Sequence, residues 1–346
     1  MKKDTRNYEK KRKRKIFLSI LMILFVAIVL TASTYAWFTS NQTVTVNQID
    51  VSVAASNGLQ ISTDAEVWKT VITNDDIVAT TTGTGSNYST NENMIPFKSY
   101  GQIIPVSTAG GIGSAGKLAF FAGTLQNNAT TGDLELTATA ETETKGTTGH
   151  FVAFDLFFKV DTTSQVYLTP SSNVVAFDSN DDRGLKNAAR VAWLREGSGG
   201  FEQSRDVWQG YKATTTTDAH NNPDNNLIIW EPNSETHTAA GTLNARLYGY
   251  NSTAVNALDY WGVKAAISTP VGVNDRSTTY FQNPVTGLLT TTNASGVPAG
   301  TQWFRLTAGV TKVRFYLWIE GQDVDCENSA SGSSISYNMQ FSLLNS

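Results

Sequence analysis

"VRFYLWI", Val313–Ile319, decides the fold class. Val313, Phe315, Leu317 and Ile319 fall on one parity, and Arg314, Tyr316 and Trp318 fall on the other. Alternation with period 2 over seven residues is the pattern of a half-buried β-strand, because successive side chains of a strand point to opposite faces. "ISYNMQFSL", Ile335–Leu343, repeats it: Ile335, Tyr337, Met339, Phe341 and Leu343 oppose Ser336, Asn338, Gln340 and Ser342. Together they read as two half-buried strands joined by the loop "EGQDVDCENSASGSS". A second pair is read over Leu134–Ala140 and Val152–Val160, with "ETETKGTTGH" as its loop. Shorter strands are expected over Arg190–Leu194, Leu227–Trp230, Leu243–Tyr250 and Gln302–Leu306.

Helical spacing is confined to Leu185–Arg190 and Thr253–Ala266, where Val255, Leu258 and Trp261 share a face. "VATTTGTGSNYSTNEN" (78–93) and "ATTTTDAHNNPDNN" (213–226) have loop chemistry. Many short strands separated by such loops predict an all-β, antiparallel sandwich with short helical insertions. With no fixed-period repeat and no Pro-rich linker, residues 40–346 read as one domain.

The amino end sets the compartment. Residues 1–15 carry nine Lys and Arg against Asp4 and Glu9, and they precede the run Ile16–Leu30, uncharged and apolar but for Ser19. A basic cluster beside such a run stays cytoplasmic, so everything beyond it is expected outside. As a helix, the run spans about 22 Å, short of a hydrocarbon core of roughly 30 Å and suited to a signal peptide. Continued to Phe38 it spans about 34 Å, enough for a single-span anchor with Tyr35, Trp37 and Phe38 at the interface. Thr34 and Ala36 supply the small residues a signal peptidase requires, which places a cleavage site before Trp37. Both readings stand: a signal peptide removed after Ala36, or a membrane contact through Ile16–Phe38.

Removing residues 1–36 takes nine of the 26 basic and two of the 30 acidic residues, leaving 17 against 28 and a net charge of −11. Such a body repels nucleic acid and anionic lipid, so nucleic-acid partners are excluded. The lone Cys326 cannot form an internal disulfide; burial in a core is expected, pairing between chains being the alternative. A chain of this length can bury enough apolar surface without staples.

Between the apolar run and the body, the parity slips. Val44 and Val46 share one parity, whereas Ile49, Val51 and Val53 share the other. A flat strand cannot bury both sets. Either a β-bulge at Asn47-Gln48 restores one apolar face, or the two halves pack on different things, one of them a neighbouring molecule. In the second case these five residues form an assembly strand.

Catalytic patterns are absent. His150, His220 and His237 belong to no H-E-x-x-H or H-x-x-E-H motif, and there is no G-x-S-x-G elbow or Walker loop. "GGIGSAG", Gly110–Gly116, opens onto the strand-like "KLAFFAG" and reads as a turn rather than a phosphate cradle. No nucleophile, base and orienter assemble, so a non-enzymatic role is expected. The loop 320–334 gathers Glu320, Asp323, Asp325 and Glu327, carboxylates that suit an extracellular Ca²⁺, although their spacing is not that of an EF-hand. A solvated acidic hairpin loop accounts for them equally well. No other cofactor is expected. Pro232 and Asn233 end the strand in "IIWEPNSETHT". Exposed aromatics at such loops could contact a glycan or a protein ligand, although most of the eight Trp are expected in the core.

"TYAWFTSNQTVTVNQIDVSV", Thr34–Val53, resembles the amino-terminal region of the TasA/camelysin family of bacterial exported proteins. The matching features are the small-aromatic junction Thr34-Tyr35-Ala36-Trp37-Phe38 and the strand Thr43–Val53 that follows at once. "PVST" (105–108), "IIWEPN" (228–233) and "LWIEGQDVDC" (317–326) look similar to segments of Gram-positive surface proteins. The resemblance implies a jelly-roll-like sandwich, processing by a dedicated signal peptidase, and self-assembly into fibres in which the mature amino-terminal strand completes the next subunit's sheet. Camelysin-type members are described as metalloproteases, but no zinc-ligand pattern is present here. This chain also departs in size and in its long basic head. Together these readings give an exported cell-surface or extracellular-matrix protein, structural and self-associating, or alternatively a glycan- or protein-binding module.

Overall fold

The computed structural model describes residues 49–56, 58–77, 104–113, 116–132, 134–143, 150–169, 171–177, 184–213, 227–230, 262–272, 279–282, 289–290, 301–323, 326 and 332–343. Within them the chain is all-β. One sheet of five strands runs β10 (Leu227–Trp230), β9 (Ala189–Gly199), β16 (Gly309–Ile319), β6 (Phe151–Val160), β2 (Gln60–Ser62). A sheet of seven runs β14 (Leu289–Thr290), β15 (Thr301–Leu306), β7 (Ser164–Leu168), β17 (Ile335–Leu343), β1 (Ile49–Ser56), β3 (Val71–Thr73), with β8 (Asn173–Ala176) also on β17. β4 (Phe120–Asn127), β5 (Leu134–Glu141) and β12 (Ile267–Gly272) form a third sheet, and β11 (Gly262–Val263) pairs with β13 (Phe281–Gln282).

The two large sheets face each other across one aromatic core. Phe315 of β16 stacks on Phe154 of β6 at 5.2 Å between ring centroids, and Phe341 of β17 meets Phe158, Trp193 and Phe315 edge-on. These are the face-to-face and edge-to-face geometries that aromatic quadrupoles favour. The odd-numbered residues of β16 and β17 supply this interface, as their alternation predicts.

The sandwich departs from the expected pairing in ways that share one cause: period 2 identifies a strand but names neither its partner nor what covers its second face. Val313–Ile319 and Ile335–Leu343 are not neighbours; β16 and β17 lie in opposite sheets, so the loop between them crosses the sandwich and is not a hairpin loop. Nor do β5 and β6 pair. β5 is bonded to β4 and β12, whereas β6 lies between β16 and β2. β6 is apolar on both faces, Phe151 and Phe157 opposing Phe154 and Phe158, and only a central position with cover on each side buries both sets. The half-buried reading of Val313–Ile319 is likewise corrected, because every residue of β16 is buried.

Three further differences are local. β1 pairs with β17 in parallel, Ile49 opposite Ile335 through Ser56 opposite Ser342, within an otherwise antiparallel arrangement of strands. Leu185–Ala188 is a single 3-10 turn and the chain is already extended at Ala189, so the helix expected over Leu185–Arg190 is shorter. Of the helix expected over Thr253–Ala266, residues 253–261 lie outside the described residues, and Gly262–Val263 is strand β11. Leu227–Trp230 and Ile335–Leu343 have the expected bounds. Leu243–Tyr250, the apolar segment Ile16–Phe38 and the parity slip at Asn47-Gln48 lie outside the described residues.

Candidate functional site

The outer face of the five-stranded sheet carries ions where the core carries rings. Arg314 on β16 stands directly opposite Asp155 on β6, so their side chains share a face, and Arg314 Nη1 donates to Asp155 Oδ1. Two residues along β16, Lys312 reaches the same carboxylate, Nζ to Oδ2 at 3.3 Å. The register of β9 against β16 shifts between Lys312 and Val313, and Glu196 at that irregularity comes within 2.7 Å of Lys312 Nζ. Glu143, beyond β5, accepts from Arg314 Nη2 and lies 3.4 Å from Lys117 Nζ.

This cluster is closed from water. Lys312, Asp155 and Arg314 are each no more than 4% exposed. Its cover comes from helix α1 (Arg205–Gln209) and the residues after it, because Lys312 Nζ donates to Gln209 O at 3.0 Å and to Tyr211 O at 2.9 Å. Ala65, Phe157 and Val310, with Trp68 and Trp208 against them, form the apolar wall on one side. On the other, Phe120 lies over Phe151, Tyr316 and Trp318.

Burial dominates the electrostatics. It raises the Glu196 carboxyl to about 7, with Asp155 adding to the rise and Lys312 and Arg314 opposing it. Burial works against the Lys312 ammonium, but Asp155 and Glu196 outweigh it and hold its pKa above the ordinary value. The balance for Arg314 is similar, with Asp155 and Glu143 as the compensating charges, and its pKa lies well above the ordinary value. Lys117, further out, is lowered by burial despite Glu143. Tyr316 is raised well above its ordinary value, first by burial and then by Glu143, and its hydroxyl accepts from the Leu118 amide at 3.2 Å.

Two of the four carboxylates singled out for Ca²⁺ are described, and both are internal. Glu320 accepts from Trp318 Nε1 and from the Gln322 amide, each at 3.0 Å, and burial raises its carboxyl to about 7. Asp323 pairs with Arg190, both side chains fully buried, while Arg190 Nη1 donates to the carbonyls of Asn187 and Ala189 at 3.0 Å. These two are therefore not part of a solvated loop. Asp325 and Glu327 lie outside the described residues. Among the described residues, no group of three or more His, Cys, Asp or Glu side chains converges as a metal site.

Val51 and Val53 are buried in β1, and Ile49 opens its ladder with β17. Thr34, Ala36, Trp37, Val44 and Val46 lie outside the described residues, as do His220 and His237; His150 Nδ1 is 3.1 Å from Glu141. Cys326 is buried in the main core. Of the tryptophans, Trp193 and Trp318 are fully buried, and Trp230 stacks on Trp193. In Gly110–Gly116, Gly110 and Gly116 adopt positive φ, and β4 follows at Phe120.

Sequence reasoning placed Arg314, Tyr316 and Trp318 on a face opposite the core and missed the ionic cluster there. One signal was available: acidic Asp155 on one strand and basic Lys312 and Arg314 on another, each on the less apolar parity of an otherwise oily strand. No protein-family model, curated protein or solved structure matches this chain.

Proposed function

We propose that this chain is an exported, non-enzymatic bacterial surface or extracellular-matrix protein that associates with copies of itself by β-strand addition. The observation that carries the reading is the closeness of the apolar run to the folded body: ten residues separate Phe38 from Ile49, where β1 begins its ladder on β17. A β-body joined so directly to a cationic head and a hydrophobic segment is the economy of a delivered or tethered scaffold. The assignment as a jelly roll of the TasA/camelysin kind belongs to the same proposal and rests on the resemblance of Thr34–Val53.

Strand addition needs an unpaired edge. β3 offers one: among the described residues it pairs with β1 alone, it is three residues long, and Val71 on it is 46% exposed. The donor in this proposal is the Thr-rich segment before Ile49, which carries Val44 and Val46 on the parity opposite to the buried set. Light scattering on the chain beginning at Trp37 tests it against the same chain lacking residues 37–47. Oligomers or filaments are expected from the first and monomers from the second; monomers from both would reject assembly.

A further inference from the structure

The cluster on the outer face of the five-stranded sheet has more than ionic pairing in it. A primary amine, a carboxylate and a second carboxylate meet in a water-excluded site: Lys312 Nζ is 3.3 Å from Asp155 Oδ2 and 2.7 Å from Glu196 Oε2. We infer that Lys312 and Asp155 condense to an intramolecular isopeptide bond joining β16 to β6, with Glu196 as the proton-transferring group.

The balance of the step is simple. The Lys312 ammonium and the Asp155 carboxylate become an amide and one water; their charges cancel, and no oxidant, reductant or activating group is consumed. Glu196 accepts a proton from the ammonium, which frees the lone pair to attack Asp155 Cγ. It then returns that proton to Oδ2, the oxygen that leaves as water with the second proton released by nitrogen. Glu196 ends as it began.

Each neighbour fits a part in this. Arg314 Nη1 donates to Oδ1, the oxygen that remains as the amide carbonyl, and so sits where negative charge grows in the tetrahedral intermediate. Glu196, raised to about 7 chiefly by burial, is matched to taking and giving a proton near neutrality. Phe157 stands directly opposite Lys312 across the strands, and with Val310 and Trp208 it walls the site, so the released water does not return in bulk. The reacting groups are already fixed: β6 and β16 are paired along the whole of β6, from Gly309–Val160 to Trp318–Phe151, which holds amine and carboxylate together as an intramolecular pair. The carbonyls of Gln209 and Tyr211 hold Nζ in place before reaction.

Peptide mapping of the folded full-length chain tests this. Trypsin cannot cut after an acylated lysine, so residues 146–159 and 306–314 should be recovered as one branched species lighter by one water than the sum of the two. Lys312→Arg should give the two segments separately, and Glu196→Gln should do the same or slow formation of the linked species at least about 100-fold, the low end of the range lost with a general acid–base group. The wild-type digest decides the matter even where a variant does not fold. Recovery of 146–159 and 306–312 as separate, unmodified peptides from the wild-type chain would overturn the inference, and an undiminished link in a folded Glu196→Gln chain would overturn the part given to Glu196. The readout does not depend on export or assembly.

Discussion

Asp323→Ala is expected to cost about 3–5 kcal/mol, the range for removing one partner of a buried ion pair. The size follows from what Arg190 has left. Its side chain is fully buried, and the substitution takes away the carboxylate it donates to, while Nη1 still donates to the carbonyls of Asn187 and Ala189, which are neutral acceptors. A buried guanidinium that loses the carboxylate paired with it is a costly charge. Replacing both partners, as Arg190→Met with Asp323→Ala, removes the charge with the carboxylate. The double variant should therefore lose less than Asp323→Ala alone, with about 1–2 kcal/mol remaining for the hydrogen bonds that the carbonyls of Asn187 and Ala189 accepted from Arg190. Urea unfolding followed by tryptophan fluorescence measures all of these, and Trp318, which stands opposite Arg190 in the pairing of β16 with β9, lies close to the site. The cycle should show strong coupling. A double variant that loses the sum of the single losses, or an Asp323→Ala chain within about 1 kcal/mol of wild type, would refute the claim that this pair is closed from solvent.

Two other perturbations have defined signs. Glu320 is fully buried with a carboxyl raised to about 7, so between the unfolded value near 4.5 and 7 the folded state holds a proton that the unfolded state gives up. Its contribution is complete below pH 4.5 and is lost as pH rises through 7, a fall of about 3 kcal/mol; Glu320→Gln should flatten that slope in unfolding midpoints taken from pH 5 to 8, and an unchanged slope would contradict the assignment. Gly309 opens β16 at φ +120°, and a Cβ there would fall 2.1 Å from the carbonyl oxygen of Gly199. Gly309→Ala should therefore lower stability by more than about 1 kcal/mol in thermal unfolding, since both the backbone angle and the space are denied to an L side chain.

Local pattern carried the strands well and their arrangement poorly. Leu227–Trp230 and Ile335–Leu343 were legible because their own side chains alternate or cluster, which is a property of a few adjacent residues. That β16 and β17 stand in opposite sheets depends on what Phe341 meets across the core, namely Phe158, Trp193 and Phe315, residues spread over three other strands. The ionic cluster was hidden for a related reason. Charged residues opposite an apolar face read as solvated unless a cover is known, and the cover here is helix α1 and its following turn, whose claim on Lys312 is made through the carbonyls of Gln209 and Tyr211. Backbone carbonyls leave no trace in residue type. The loop 320–334 misled in the same way, since acidity suggested exposure while Arg190, 133 positions from Asp323, supplies the countercharge.

The parallel register of β1 on β17 means that the first described strand is completed by the last. A chain emerging amino end first holds Ile49–Ser56 for the whole of its synthesis without the neighbour that satisfies its ladder, and the loop to be closed spans almost the entire body. Such distant closure is slow. On the export proposed above, that delay would keep the sheet from locking until the last described strand had crossed the membrane.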